Sequence, residues 1–271
     1  MKQLLIAAVV VGAVIAGGFF FYPSTQAPHE PELAGETDRS NSDMLAGKAG
    51  LAVRAGDLNY FENAKGYYAE PEKSGAYPGI IMIHEWWGLN DNVREMAEEL
   101  AKEGYRVLAV DLFGKLAATP DEARAQVGSL DEMRATGNLK AAAAHLRSKG
   151  SEKIASLGWC FGGGQSLKLA LSGEKLDATV IYYGALITNK SELQKIKWPI
   201  LGIFGDKDAS IPTATVYDFR DALTFLGIPN SVHVYPGVGH AFANPSGANY
   251  APEETKDAWA KTLSFLGEAL K

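Results

Sequence analysis

Short apolar runs alternate along the chain with stretches that repeat apolar residues every three or four positions. The runs Lys65–Ala69, Gly79–His84, Tyr105–Asp111, Ile154–Trp159, Ala178–Tyr183, Pro199–Phe204 and Ser231–Pro236 predict strands. Most are continuous in Val, Ile, Leu and Tyr, as strands covered on both faces should be. The intervening stretches predict helices. Val93, Met96, Ala97 and Leu100 form one stripe, and Leu139, Ala142, Ala143 and Leu146 a second. Val216, Phe219, Leu223 and Leu226 form a third, and Trp259, Leu263, Leu266 and Leu270 the last. Thr119-Pro120-Asp121-Glu122 supplies a cap, a first-turn proline and two first-turn acids. Ala251-Pro252-Glu253-Glu254 repeats the signal without a good cap. This alternation predicts an α/β fold with a mostly parallel sheet and helices on both faces.

The N-terminus breaks the pattern. Leu4–Tyr22 is an unbroken run of 19 apolar or glycine residues behind the single charge of Lys2. At about 1.5 Å per residue such a helix crosses a hydrocarbon core of roughly 30 Å. The cleavage signals near Ala16-Gly17 and Ala27-Pro28 are poor. Residues 1–22 therefore read as an N-terminal signal or anchor helix, with an uncleaved anchor ahead of a cleaved signal. Residues 23–50, rich in Pro, Ser, Gly and acids, read as a flexible linker. Residues 51–271 form the body. With the positive end first, the body is expected on the exported side, periplasmic or extracellular, anchored there or soluble if residues 1–27 are removed. Membrane contact is expected only through that helix.

Charge and cysteine count narrow the chemistry. The formal net charge is −6, with Lys and Arg totalling 26 against 32 acids. Nothing in that favours nucleic acid. The one cysteine, Cys160, excludes an internal disulfide and a cysteine-rich metal site. His84-Glu85-Trp86-Trp87-Gly88 lacks the second histidine of a zinc motif. Neither a metal nor a cofactor is expected.

Ligands of such sheets sit beyond the carboxyl ends of the strands. The reactive residues just after each predicted strand are Glu85, Asp111, Cys160, Asp206 or Asp208, and His240. Gly158-Trp159-Cys160-Phe161-Gly162-Gly163 follows a strand and opens a helix, the context of a nucleophile elbow, with cysteine in the serine position. The helix N-terminus favours a thiolate there, and the Phe161 N–H is placed to receive an oxyanion. A phosphate loop fits less well, since Gly163 is followed by Gly164-Gln165 rather than Lys and Ser or Thr. His240, in the glycine-lined Gly237-Val238-Gly239-His240 loop, gives the order nucleophile, acid, histidine. Spacing leaves Asp206 and Asp208 both open as the acid; one of them is expected only to cap a turn or to pair with Lys207. Glu85 is a second acid near the thiol, and Trp86, Trp87 and Phe113 are candidate walls of an apolar pocket. His233 reads as a structural strand residue, and His29 and His145 as solvent-facing.

Taken together, His84-Glu85 with Gly88-Leu89-Asn90, Asp111-Leu112-Phe113-Gly114, Gly158-x-Cys160-x-Gly162-Gly163, Gly205-x-x-Asp208 with Pro212, and Gly239-His240-x-Phe242 resemble the dienelactone hydrolase family of α/β-hydrolases. The resemblance runs from about Leu58 to the end. It implies an α/β-hydrolase fold and a Cys160, Asp208 and His240 triad that hydrolyses carboxylic esters, lactones or thioesters through an acyl-enzyme. It implies that Glu85 helps ionise the thiol when substrate binds, and that Trp86 and Phe161 supply oxyanion-hole N–H groups. It also marks two departures. The positions of two substrate-binding arginines fall at Lys115, which lacks the bidentate fork, and at Asn244, which has no charge. Dienelactone itself is therefore not the expected substrate; a small-molecule ester or lactone is. A glutamine amidotransferase-like cysteine enzyme is the rival, but it wants an acid two residues after the histidine, where Phe242 stands. A non-catalytic, membrane-tethered binding protein is the other.

Overall fold

The computed structural model describes residues 50–271. The expected anchor helix and nearly all of the linker lie outside the described residues. Among the described residues no helix is long and apolar enough to cross a membrane.

Eight strands form one sheet: β1 (Val53–Phe61), β2 (Ala64–Pro71), β3 (Gly79–Ile83), β4 (Arg106–Val110), β5 (Ile154–Trp159), β6 (Ala178–Tyr182), β7 (Ile200–Gly205) and β8 (Asn230–Tyr235). Their spatial order is β1-β2-β4-β3-β5-β6-β7-β8. β1 and β2 run antiparallel to each other and β2 antiparallel to β4, whereas β4 through β8 are parallel. The helices are α1 (Asp91–Lys102), α2 (Pro120–Gly128), α3 (Glu132–Ser148), α4 (Phe161–Leu171), α5 (Lys190–Leu193), α6 (Thr213–Phe225) and α7 (Pro252–Leu270).

The central strands are buried on both faces, and their side chains alternate between two cores. Ile80 and Met82 of β3 join Val93, Met96 and Leu100 of α1 and Trp259, Leu266 and Leu270 of α7. Ile81 and Ile83 face the other way, onto Leu139, Ala142 and Leu146 of α3, Leu167 of α4 and Phe219 and Leu223 of α6. Each such Leu, Ile or Phe contributes about 1.5–3 kcal/mol by leaving water, so the sheet is fixed from both sides. The strands after β2 match the sequence-based expectation closely. β1 does not appear in that expectation: its residues mix exposed and half-buried positions on an outer edge, with Arg54, Ala55, Asp57 and Asn59 exposed. Thr119 caps α2 as predicted, its hydroxyl accepting from the Glu122 N–H. His145 corrects one expectation. It is not solvent-facing but half-buried, edge-on to the Tyr68 ring, and burial lowers its pKa.

Candidate active site

The carboxyl ends of the parallel strands gather the expected residues. Glu85 follows β3, Asp111 follows β4, Cys160 follows β5, Asp208 follows β7 and His240 follows β8. The turn at Cys160 is strained, with φ 53° and ψ −117°, a region that a side-chain-bearing residue rarely adopts. It holds because its surroundings have no room for another path. A Cβ at Gly158 would sit 2.2 Å from the Gly162 carbonyl oxygen, and one at Gly162 would sit 2.3 Å from the Ile83 carbonyl oxygen. The Cys160 N–H also donates to the Tyr182 carbonyl at 3.0 Å. The side chain is thereby presented at the head of α4.

His240 bridges the thiol and the acid. Its Nε2 lies 3.1 Å from Cys160 Sγ and its Nδ1 2.8 Å from Asp208 Oδ2. Asp208 is buried, and its Oδ1 accepts from the Ser210 and Ile211 N–H groups at 2.8 and 3.0 Å. The carboxylate is thus held in one orientation with Oδ2 left for the imidazole. The rival acid is turned elsewhere: Asp206 accepts from the Gly237 N–H and lies 3.6 Å from Lys207 Nζ. The His240 backbone is held by Asn249, whose amide donates to its carbonyl at 2.9 Å.

Burial alone would disfavour the imidazolium. The Asp208 hydrogen bond and the Cys160 contact outweigh it and push the His240 pKa from 6.5 to about 10. A raised histidine pKa contributes stability that is complete below the unfolded value and lost as pH climbs through the folded one. The window here is pH 6.5 to about 10. Thermal midpoints should fall across that range, and the fall should be shallower in His240→Gln; equal slopes would contradict the assignment.

Glu85 is buried beside this relay. Its Oε2 accepts from the Asn244 amide at 2.6 Å, and its Oε1 has no hydrogen-bond partner. Burial raises its pKa, opposed by the Asn244 amide and by the charge of His240. Tyr183 completes the cluster and was not among the residues singled out from sequence. Its ring meets His240 edge-on at 5.3 Å between centroids, and it sits at φ 36° directly after β6. Burial and the neighbouring Glu85 both raise the pKa of its hydroxyl. Its place at a strand end was the available signal.

A narrow cleft of about 20 Å³ opens beside Glu85, lined by Gly88, Asn90, Trp159, Tyr183 and Asn244 among others, with no Lys or Arg in its wall. Phe113 and Lys115 line a different cleft of about 220 Å³, with Gln126 and Arg134. Trp86 and Trp87 pack on each other at 5.1 Å. The four expected pocket residues therefore do not share one cavity: Asn244 reaches the Glu85 cleft, Phe113 and Lys115 the second, and Trp87 neither. Among the described residues no group of three or more His, Cys, Asp or Glu side chains is arranged to hold a metal ion.

The arrangement can move one proton between sulfur and imidazole while an anion is received at the head of α4. Comparison with known proteins places the chain in a hydrolase family. A model of the dienelactone hydrolase family matches residues 64–270. A Saccharolobus solfataricus protein named "Putative carboxymethylenebutenolidase" is 30% identical over 247 residues, covering 76% of this chain and 95% of its own. Protein usf of Aquifex pyrophilus is 34% identical over 220 residues, covering 76% and 94%. The crystal structure of a dienelactone hydrolase-like promiscuous phosphotriesterase, P91, from metagenomic libraries superposes with a TM-score of 0.72 at 25% identity, covering 81% of this chain and all of that one.

Proposed function

This chain belongs to the dienelactone hydrolase family and is a hydrolase of small molecules; on that premise we propose that it cleaves carboxylic ester, lactone or thioester bonds with Cys160 as nucleophile. The observation that carries this reading is the unbroken contact from Sγ through His240 to Asp208, 3.1 and 2.8 Å long, at a strained strand-to-helix turn.

Cys160 Sγ attacks the carbonyl carbon while its proton resides on His240 Nε2. The carbonyl oxygen becomes an oxyanion, received by the Phe161 and Trp86 N–H groups. As the carbon–oxygen bond to the leaving group breaks, Nε2 gives the proton to the departing alkoxide. Water then attacks the thioester, Nε2 takes one of its protons, and Sγ leaves with the acid released. Asp208 keeps the ring oriented and stabilises its charged form throughout. Glu85, buried and with its pKa raised, supports the relay through its electrostatic contact with His240, while the thiol proton itself passes to Nε2.

No Lys or Arg lines the cleft beside Glu85, and the Asn244 amide is already given to Glu85, so that wall lacks the bidentate grip an arginine would give a substrate carboxylate. The apolar run Leu4–Tyr22 extends the proposal to place: the body works on the outer side of a membrane, tethered or released. One equivalent of iodoacetamide should silence turnover of small aryl esters, with a short neutral ester protecting the thiol. Turnover that survives full alkylation of Cys160 would sink the cysteine mechanism.

A further inference from the structure

An oxyanion hole works only if its N–H groups are aimed before substrate arrives. The Phe161 N–H is aimed by α4, since the first amides of a helix have no partner inside it. The Trp86 N–H has no helix behind it; it lies in the loop between β3 and α1. Something else must set its direction.

The peptide that carries this N–H also carries the Glu85 carbonyl. In a trans peptide the two point in opposite directions, so whatever grips the carbonyl aims the amide. Glu85 O lies 2.6 Å from His84 Nδ1 and accepts a longer bond of 3.3 Å from the Gly88 N–H. The other ring nitrogen of His84, Nε2, accepts from the Leu112 N–H at 3.1 Å. A backbone amide can only donate, so Nε2 must be bare and the ring proton must sit on Nδ1, facing Glu85 O. The tautomer is dictated from both ends.

The His84 ring itself cannot turn. It is wholly buried, with the Phe113 ring 5.0 Å away and the Phe161 ring stacked at 6.0 Å. Burial also lowers its pKa, which keeps it neutral. The next peptide is held as well: Nε2 of Gln126, one of the two buried side chains of the otherwise exposed α2, donates to the Trp86 carbonyl at 3.3 Å. Gly162 brings the two halves of the hole together, because its missing Cβ lets α4 press against the carbonyls of Ile83 and His84.

We propose that His84 is a positioning residue for catalysis, with Gln126 as its second hand, and that together they fix the two peptides flanking Trp86 so that its N–H faces the oxyanion. The proposal rests on the acyl-transfer reading above. It also explains the histidine before Glu85, which carries no metal role and touches no reacting atom.

The test separates two reactions of the same thiol. Ester hydrolysis passes through an oxyanion; alkylation by iodoacetamide is a displacement at saturated carbon and forms none. Losing an oxyanion donor outright costs about 10²–10³-fold in kcat, and misaiming one should cost roughly 10–100-fold. His84→Leu, which fills the space without either hydrogen bond, should lose that much kcat with KM within about twofold and the alkylation rate unchanged. His84→Asn, whose amide occupies the Nδ1 position and can still donate to Glu85 O, should recover most of it. Gln126→Met should show the same split at smaller amplitude. Should His84→Leu fail to fold, His84→Asn and Gln126→Met decide. The proposal is overturned if the variants keep wild-type kcat, or if kcat and alkylation fall together. Failure of the cysteine mechanism is a different result, read in Cys160→Ala rather than in these variants.

Discussion

Cys160→Ala should abolish ester turnover, with kcat/KM falling roughly 10⁴-fold or more, the scale seen when a nucleophile is removed from a cooperating set. The fold should survive. Sγ makes its hydrogen bond to His240, while the strained turn is held by backbone contacts: the Cys160 N–H on Tyr182 O, and the glycines at positions 158 and 162 against neighbouring carbonyls. None of these uses the thiol. Far-ultraviolet circular dichroism should therefore match the parent while stopped assays on aryl esters read background. Removing the sulfur should also remove one of the contacts that raises the His240 pKa, so the histidine should titrate closer to neutrality in the variant, a change visible by NMR.

Asp208→Asn should cost nearly as much, about 10³–10⁴-fold in kcat, and for a reason specific to this geometry. Oδ1 of Asp208 is committed to the Ser210 and Ile211 N–H groups, and only Oδ2 faces His240. An asparagine must keep its oxygen toward those two donors. Its NH₂ then points at Nδ1 and donates to it, which drives the ring proton onto Nε2. The nitrogen facing Sγ would carry a hydrogen and could no longer accept the thiol proton. The fold should survive, because the turn at Ser210 and Ile211 keeps its acceptor, but the thermal midpoint below pH 6.5 should drop as the His240 charge loses the carboxylate that raised its pKa. The measurement is kcat beside the pH dependence of the midpoint: a large loss in the first and a flatter slope in the second.

The parts of the fold that were legible in the sequence are those whose apolar residues are buried on both faces. β3 through β7 read as mainly apolar runs because both faces are covered, and the polar residues that interrupt them, Arg106, Ser156 and Thr179, are each paired. β1 was not legible, because an outer strand needs only one covered face, and its Gly56, Asp57 and Asn59 look like a turn. The site was legible to the extent that its chemistry sits at strand ends. Cys160 and His240 stand out by glycine neighbours and chain order. Asp206 and Asp208 could not be separated by spacing, since both follow β7 within three residues; what separates them is direction, one toward Gly237 and Lys207, the other toward His240. Tyr183 and Gln126 were missed because one is a strand-end tyrosine among core tyrosines and the other a helix glutamine like any surface glutamine. His84 was noticed as half of a metal motif it does not complete and as part of the motif that carries the family resemblance, without a role of its own. Its partners are backbone atoms, and contacts to backbone leave no mark on a sequence.

The central claim is that a covalent bond forms at Cys160 during turnover. The direct measurement is the intact mass of the enzyme quenched in acid during turnover of a slowly deacylated aryl ester, followed by peptide mapping. The account predicts a mass increase equal to one acyl group, placed on the peptide bearing Cys160 and absent from Cys160→Ala. Full turnover with no adduct, or an adduct on any other residue, would contradict it.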